Sequence, residues 1–218
     1  MKRRLLVIAS ILLAASKLVC GQFPASAGVK AGISVANQSY RFTPIDYTME
    51  TEPVWGPAVS IFMEAFRGEH FSFQTDLSYA LKGSSTSVES ITGNHLDNDR
   101  VSVTEGKSTT STFNYLSLSP MARYRPGQGT MQGYFLLGPR MDILLKYNSD
   151  SDYPLEEQNE IILGLTLGAG LEYSLEKVGL FTELQYQGDF YPVTGVDPLL
   201  VNNHMISLTL GIRYFVSD

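Results

Sequence analysis

The chain has 218 residues, with 16 basic and 22 acidic side chains, a formal charge of −6 and a single cysteine. So acidic a chain makes a poor partner for nucleic acid, and one cysteine excludes an intramolecular disulfide. After the first 20 residues no stretch is apolar and long enough for a spanning helix, so membrane insertion would need strands whose backbone groups pair in a closed sheet.

In chain order, the first segment reads as an export signal. Lys2, Arg3 and Arg4 form a basic start, and the apolar run from Leu5 to Ala15 is about half the roughly 20 residues that a spanning helix needs. Residues 1–21 are assigned to the signal, cut after Gly21; the small residues Ala25-Ser26-Ala27 fit a later cut, after Ala27. Cys20 raises a lipid-anchored alternative, against which stand Lys17 and Val19 where an apolar and a small residue are wanted. Cleavage removes Lys2, Arg3, Arg4, Lys17 and the cysteine, leaving 12 basic against 22 acidic residues and a formal charge of −10. About 195 residues then remain, enough for one domain, assigned to 28–218.

Eight segments that alternate apolar and polar residues follow. The first sets Val29, Ala31, Ile33 and Val35 against Lys30, Gly32 and Ser34; the second sets Trp55, Val59, Ile61 and Met63 against Gly56, Ser60 and Glu64. The third, FSFQTDLSYALKG, puts Phe71, Phe73, Thr75, Leu77, Tyr79 and Leu81 on one side and Ser72, Gln74, Asp76, Ser78, Ala80 and Lys82 on the other, the two-residue period of a strand. In the fourth, Leu116, Leu118, Ala122 and Tyr124 oppose Ser117, Ser119, Arg123 and Arg125; in the fifth, Phe135, Leu137, Met141, Ile143 and Leu145 oppose Gly138, Arg140 and Asp142. The sixth places Ile161, Leu163, Leu165, Leu167, Ala169, Leu171 and Tyr173 against Gly164, Thr166, Gly168, Gly170 and Glu172. Val178, Leu180, Leu184 and Tyr186 oppose Glu183, Gln185 and Gln187 in the seventh, and Ile206, Leu208, Leu210, Ile212 and Tyr214 oppose Ser207, Thr209, Gly211 and Arg213 in the last. Pro57 and Pro120 interrupt the second and fourth, where a proline predicts a bulge or weak pairing.

The connections alternate in length. Those at 67–70, 125–131 and 174–177 are short; those at 38–53, 83–112, 146–158 and 191–202 are long and polar, and are assigned to extracellular loops. This rhythm predicts an eight-stranded antiparallel transmembrane up-and-down β-barrel, all-β, with both termini in the periplasm. Within the longest loop, short alternations around Val88 and Val101 to Val103 predict a hairpin continuing the third and fourth strands.

A lipocalin-like soluble barrel shares the strand number and period. The polar face separates the two: here it is dominated by Gly, Ser, Thr and Ala with a few Arg and carboxylates, which suits a narrow enclosed lumen, whereas a face in bulk water favours long Lys and Glu. The apolar face carries Trp55, Phe71, Tyr79, Tyr124, Tyr173, Tyr186 and Tyr214, as expected of aromatic girdles.

From about Gly28 to Phe215 the chain resembles the outer-membrane β-barrel proteins of Bacteroidota labelled porin-family or PorT-like. The resemblance rests on GVKAGIS at Gly28 to Ser34, FSFQTDLSYALKG, NYLSLSP at Asn114 to Pro120, Gly138-Pro139, GAGLEY at Gly168 to Tyr173 and LGIRYF at Leu210 to Phe215. It implies an eight-stranded barrel in the Gram-negative outer membrane and supplies no shared catalytic or binding residues. The terminal Val216, Ser217 and Asp218 after Phe215 depart from the usual aromatic end of such chains.

The charges on the polar face are the candidate functional residues. Counting from the turns, Lys30, Glu64, Arg123, Glu172 and Arg213 fall near the periplasmic end, and Asp76, Arg140, Asp142 and Glu183 nearer the middle. Both layers hold opposite signs, so the reading preferred is a satisfied ion-pair network that fills the lumen, since an enclosed charge without a partner is expensive; the alternative is a polar gate or proton-linked path. No catalytic residue, cofactor or metal is assigned: His70, His95 and His204 are scattered, and only His204 offers a base at the outer rim. Asp97, Asp99, Asp150, Asp152, Glu156 and Glu157 read as solvated loop charge. The function expected is structural or interactive: a monomeric membrane barrel displaying four loops, with outer-membrane lipid, lipopolysaccharide and another envelope protein as partners. A narrow diffusion channel, a lipid-modifying enzyme and a soluble lipocalin-like binder are the alternatives.

Overall fold

The structure, a computed structural model, describes residues 24–42, 47–49, 51–87, 90–92, 102–104, 108–150, 159–193 and 199–216. The proposed signal, residues 1–21, lies outside them, as do His95 and, of the acidic loop residues, all but Asp150.

None of the described residues is helical. The strands are β1 (Ser26–Phe42), β2 (Tyr47–Met49), β3 (Glu52–Ala65), β4 (Phe71–Ser87), β5 (Ser90–Thr92), β6 (Ser102–Thr104), β7 (Ser108–Tyr124), β8 (Met131–Ser149), β9 (Ile161–Ser174), β10 (Val178–Asp189) and β11 (Leu199–Phe215). Eight of them, β1, β3, β4 and β7 to β11, pair antiparallel with their chain neighbours, and β11 returns to β1. The closing seam runs in unbroken register from Ser26↔Phe215 to Phe42↔Leu199. Among the described residues the sheet is therefore an up-and-down barrel, the architecture that satisfies every wall strand on both edges and that a membrane requires of strands.

Its two faces separate as the alternation predicts. Leu163 and Leu210 are 46% and 69% exposed, whereas Arg140 and Glu183 are each 1% exposed. Most aliphatic and aromatic side chains look outward along the wall strands, and most Ser and Gly and the buried charges look inward. Such an outer wall suits hydrocarbon and excludes the soluble lipocalin-like alternative.

The strands are longer than the alternating segments. A tilted spanning strand needs about 9–11 residues, and the outward apolar run of β11, Ile206 to Tyr214, has that length, yet the strand begins at Leu199. The wall thus reaches into segments expected to be loops: residues 38–42, 47–49 and 52–53 of the first, 83–87 and 108–112 of the second, 146–149 of the third and 199–202 of the fourth are strand. Residues 83–87 and 108–112 are polar on both faces, which hides a strand from any hydropathy period while leaving its backbone free to pair, and the others, such as Leu199-Leu200-Val201, mix apolar and polar residues without alternating. β5 and β6 form a separate small ladder, Ser90↔Thr104 to Thr92↔Ser102.

The prolines disturb pairing in two ways. Around Pro57 the β3–β4 register shifts between Pro53 and Ala58. Pro120 keeps its place opposite Thr75, but on its other side it faces Pro139, and the β7–β8 ladder lapses between Leu118↔Met141 and Ala122↔Leu137. Two facing prolines remove two donors at one rung. A Cβ on the inward Gly138 would lie 2.0 Å from the Pro120 carbonyl oxygen, so only glycine allows the strands to approach here.

The charged lumen as candidate functional site

The short turns at 66–70, 125–130 and 175–177 lie at the barrel end that carries both described termini, here called the inner mouth. The lumen above it is stacked in three polar tiers with apolar layers between.

The first tier gathers Glu64 of β3, Arg123 of β7, Glu172 of β9 and Arg213 of β11. Arg213 donates through Nε to Glu172 at 3.0 Å, through Nη1 to Ser26 at 2.7 Å and to Glu64, and through Nη2 to Gln74 at 3.1 Å. Arg123 reaches Glu172 at 2.6 Å and Gln74 at 3.0 Å, and Arg125 reaches Glu64 at 2.6 Å.

In the second, Lys30 of β1 lies between Asp76, at 2.5 Å, and Glu183. Tyr134 Oη donates to Glu183 at 2.8 Å, and Gln185 donates to both carboxylates. Gln74 joins the two tiers: its carbonyl oxygen accepts from the arginines, and its amide donates to Asp76 at 2.9 Å. The amide dipole thus runs from the arginine-rich side to the carboxylate-rich side.

The third tier pairs Arg140 with Asp142 at 3.0 Å and with Asp189, and Lys82 with Asp142 at 2.6 Å. Asn203 donates to Asp189 at 3.0 Å and Gln38 to Asn203 at 2.8 Å, carrying the network across the β1–β11 seam.

Aromatic side chains fill the space between. Phe62, Met121, Tyr134, Leu136 and Phe181 form a buried septum, with Phe62 and Phe181 edge to face at 5.4 Å. Arg123 lies 3.7 Å over the Tyr134 ring and Arg213 4.7 Å over that of Phe62, so the septum also carries the guanidiniums. Towards the outer mouth Phe113, Tyr115, Leu144, Ile162 and Val193 make a second apolar layer. Val193 is wholly buried and is held by Val193 N to Val201 O at 2.6 Å and Asn159 N to Val193 O at 2.8 Å.

All nine candidate residues, Lys30, Glu64, Asp76, Arg123, Arg140, Asp142, Glu172, Glu183 and Arg213, are buried and face the lumen. The structure distributes them differently from a count along each strand. Lys30 leaves the inner group for Asp76 and Glu183, and Arg140 and Asp142 form a tier of their own. Strand tilt and shear are the reason: in a barrel, residues equally far from their own turns stand at different heights. Lys82 and Arg125 sit on the polar face of their segments and complete the pairs. Asp189 lies beyond the part of the seventh segment where alternation is visible, and the aromatic septum is signalled only by parity, since Phe62 stands between the outward Ile61 and Met63.

The histidines come to no common site. His204 is half-buried in β11 opposite Asn37, and His70 Nδ1 lies 3.1 Å from the Arg125 carbonyl oxygen. Among the described residues no three His, Cys, Asp or Glu are grouped to hold a metal ion.

No curated protein sequence matches the chain. Among solved structures, Neisserial surface protein A is similar over 87% of this chain and 96% of its own, at 15% identity and a TM-score of 0.47. The Yersinia pestis attachment invasion locus protein Ail, in complex with the heparin analogue sucrose octasulfate, is similar over 88% and 100%, at 15% identity and a TM-score of 0.42. The N-terminal β-barrel domain of Pseudomonas aeruginosa OprF is similar over 88% and 98%, at 15% identity and a TM-score of 0.39. The family described as outer membrane protein beta-barrel domain matches residues 22–192, most of the described wall, and to this family of outer-membrane barrels the chain belongs.

Proposed function

We propose that the protein is a closed outer-membrane barrel with a structural or interaction role, a non-enzymatic anchor that displays its loops at the cell surface above a sealed lumen. The observation that carries this is the mutual pairing inside the wall. Among the described residues the lumen holds six cations, Lys30, Lys82, Arg123, Arg125, Arg140 and Arg213, against six carboxylates, Glu64, Asp76, Asp142, Glu172, Glu183 and Asp189. A lumen neutral in itself offers no net field to draw an ion, and the septum of Phe62, Tyr134 and Phe181 occupies the axis.

The short turns on the side of both termini support a periplasmic inner mouth and a lipopolysaccharide-facing outer one. The motifs from Gly28 to Phe215 support a place in the porin-family, PorT-like group of Bacteroidota. The protein acts as a monomer among outer-membrane lipid, with another envelope protein as a partner for its loops.

Planar-bilayer recording on the purified full chain tests the seal. A lumen closed by these pairs gives no steps above the lipid baseline from −100 to +100 mV, a range of roughly 2.3 kcal/mol per elementary charge on either side. Reproducible unitary steps would instead make it a narrow diffusion channel.

A further inference from the structure

β8 changes face once, and the change moves a lysine. Arg140, Asp142 and Leu144 are buried toward the lumen, and the same alternation continued would send Lys146 inward as well. A bulge intervenes. Tyr115 of β7 pairs with Leu144 but Asn114 pairs with Lys146, so Leu145 has no partner of its own on β7. Beyond the bulge the parity is reversed: Tyr147 packs on the lumen-facing Phe113 at 4.7 Å, while Leu145 and Lys146 are both exposed. Bulges re-aim side chains in this way, and here one takes an ammonium out of the lumen and sets it on the outer wall.

Lys146 emerges at a definite height. The outward runs from Leu116 to Tyr124 on β7 and from Phe135 to Leu145 on β8 have the length of a tilted spanning strand, roughly 9–11 residues. Asn114 and Lys146 are the next outward residues of the two strands and stand directly opposite each other. Tyr79 of β4 donates through its phenol to Asn114 Oδ1 at 2.5 Å, which turns the amide nitrogen toward β8, 3.5 Å from the Lys146 carbonyl oxygen. That second contact is longer than an ordinary hydrogen bond, so the amide keeps donors to give. Among the described residues no carboxylate lies within ion-pair distance of Lys146, and the acidic residues near it in sequence and register, Asp150 and Glu160, are exposed. The other exposed cations among the described side chains, Arg67 and Lys177, lie in the turns of the inner mouth.

We propose that Lys146 and Asn114, the amide oriented by Tyr79, form a site on the outer wall for the phosphate of an outer-leaflet glycolipid. An ammonium at the edge of the hydrocarbon extends its charge into the headgroup layer, where an anion meets it. Directly opposed side chains on one face start about 5 Å apart, so the ammonium and the amide reach one phosphate together. Leu145 and Leu116, outward beside and below them, give the acyl chains of the same lipid an apolar surface. The inference rests on the outer-membrane reading with the long connections outside.

Native mass spectrometry of the full chain in detergent reads the site with two probes, lipid A bearing a phosphate monoester and the same lipid A after enzymatic dephosphorylation. The phosphorylated lipid binds about fivefold more tightly, the worth of one basic side chain at a lipid surface. Lys146→Gln, an exposed position outside the buried pairs, removes the preference, Asn114→Ala reduces it, and Lys177→Gln at the inner mouth leaves it intact. Excess inorganic phosphate does not displace the lipid, because the acyl chains hold it on the wall; displacement would make this a site for free phosphate and overturn the lipid. Equal affinity for the two lipids, a preference that survives Lys146→Gln, or an equal loss in Lys177→Gln overturns the site. The outer-membrane reading is tested apart from this. Asn148→Cys, exposed on the same face farther out, is labelled on intact cells by an impermeant maleimide, and no labelling would overturn the outer leaflet without touching the preference measured in detergent.

Discussion

The phenol of Tyr134 lies across the β8–β9 ladder on top of Gly170, so closely that a Cβ at position 170 would fall 2.3 Å from the ring. The same relationship recurs twice. Phe62 covers Gly28 on β1 and Phe181 covers Gly211 on β11, with a hypothetical Cβ 2.5 and 2.2 Å from the rings. These three glycines, Gly28, Gly170 and Gly211, therefore do more than narrow side chains would: each is the seat of an aromatic ring from the neighbouring strand. Gly170→Val and Gly211→Val are expected to lower stability by about 3 kcal/mol, the upper part of the usual range for overfilling a packed site. Gly133→Ala is the control, because its nearest neighbour, Leu171, is 3.8 Å from the Cβ position. Urea midpoints in lipid vesicles check both, and equal midpoints for all three variants would mean that the rings yield freely.

Arg213 is tied to both carboxylates of the inner tier, and its removal tests how far that tier holds as one unit. Arg213→Met leaves Glu64 to Arg125 and Glu172 to Arg123, with fewer donors in a dry interior. Breaking a buried pair from one side typically costs about 3–5 kcal/mol, whereas removing both members can be neutral. Arg213→Met is expected at the lower end of that range, and adding Glu172→Gln restores part of the loss. The same urea series gives the coupling, which should exceed about 1 kcal/mol for groups in one network. Strict additivity would reduce the tier to independent contacts.

The single tryptophan reports which face meets lipid. Trp55, on β3, is 65% exposed and points outward. Bromine on the lipid acyl chain is expected to quench its fluorescence strongly, most of all when carried near the headgroup, and aqueous acrylamide only weakly. The reverse pattern, full acrylamide quenching with no effect of bromine, would place Trp55 in water and contradict an outward apolar wall.

What the sequence made legible, and what it hid, follows from the period of two. Wherever one face is apolar and the other is not, as from Phe71 to Lys82 or Ile161 to Tyr173, the strand and the direction of each side chain can be read residue by residue. Ser84 to Ser87 and Ser108 to Ser111 are polar on both faces and pair in full register all the same, so the wall outgrows its visible pattern. The candidate charges follow from the same parity, but their partners do not. Lys30 meets Glu183, 153 residues away, at a height set by the shear of the closed sheet, which no count along a single strand contains. The aromatic septum escaped because an apolar residue on the polar side of a strand reads as a lapse of pattern, when in the barrel it is the ring that covers a glycine next door.

The outer apolar layer gives a prediction that separates local from global stability. Val193 stands outside any strand, yet its side chain is wholly enclosed by Phe113, Tyr115, Leu144 and Ile162, and its backbone is bonded to Val201 and Asn159. Segments held by one inserted side chain open on their own, at a free energy below that of the whole molecule. Among the described residues the layer holds no cation for a carboxylate at this position to meet, and Lys82, 5.5 Å over the Tyr115 ring of that layer, is occupied by Asp142. Val193→Asp is therefore expected to expel the segment while leaving the walls paired. Amide hydrogen exchange reads the difference: Val193 and Asn159 should exchange at least about tenfold faster, equivalent to about 1.4 kcal/mol of lost protection, with no change at Leu208 or Leu210 in β11. Uniform acceleration across β11 would mean that the outer layer is part of the barrel's global cooperative unit, and unchanged exchange at Val193 would mean that the buried valine does not hold the segment.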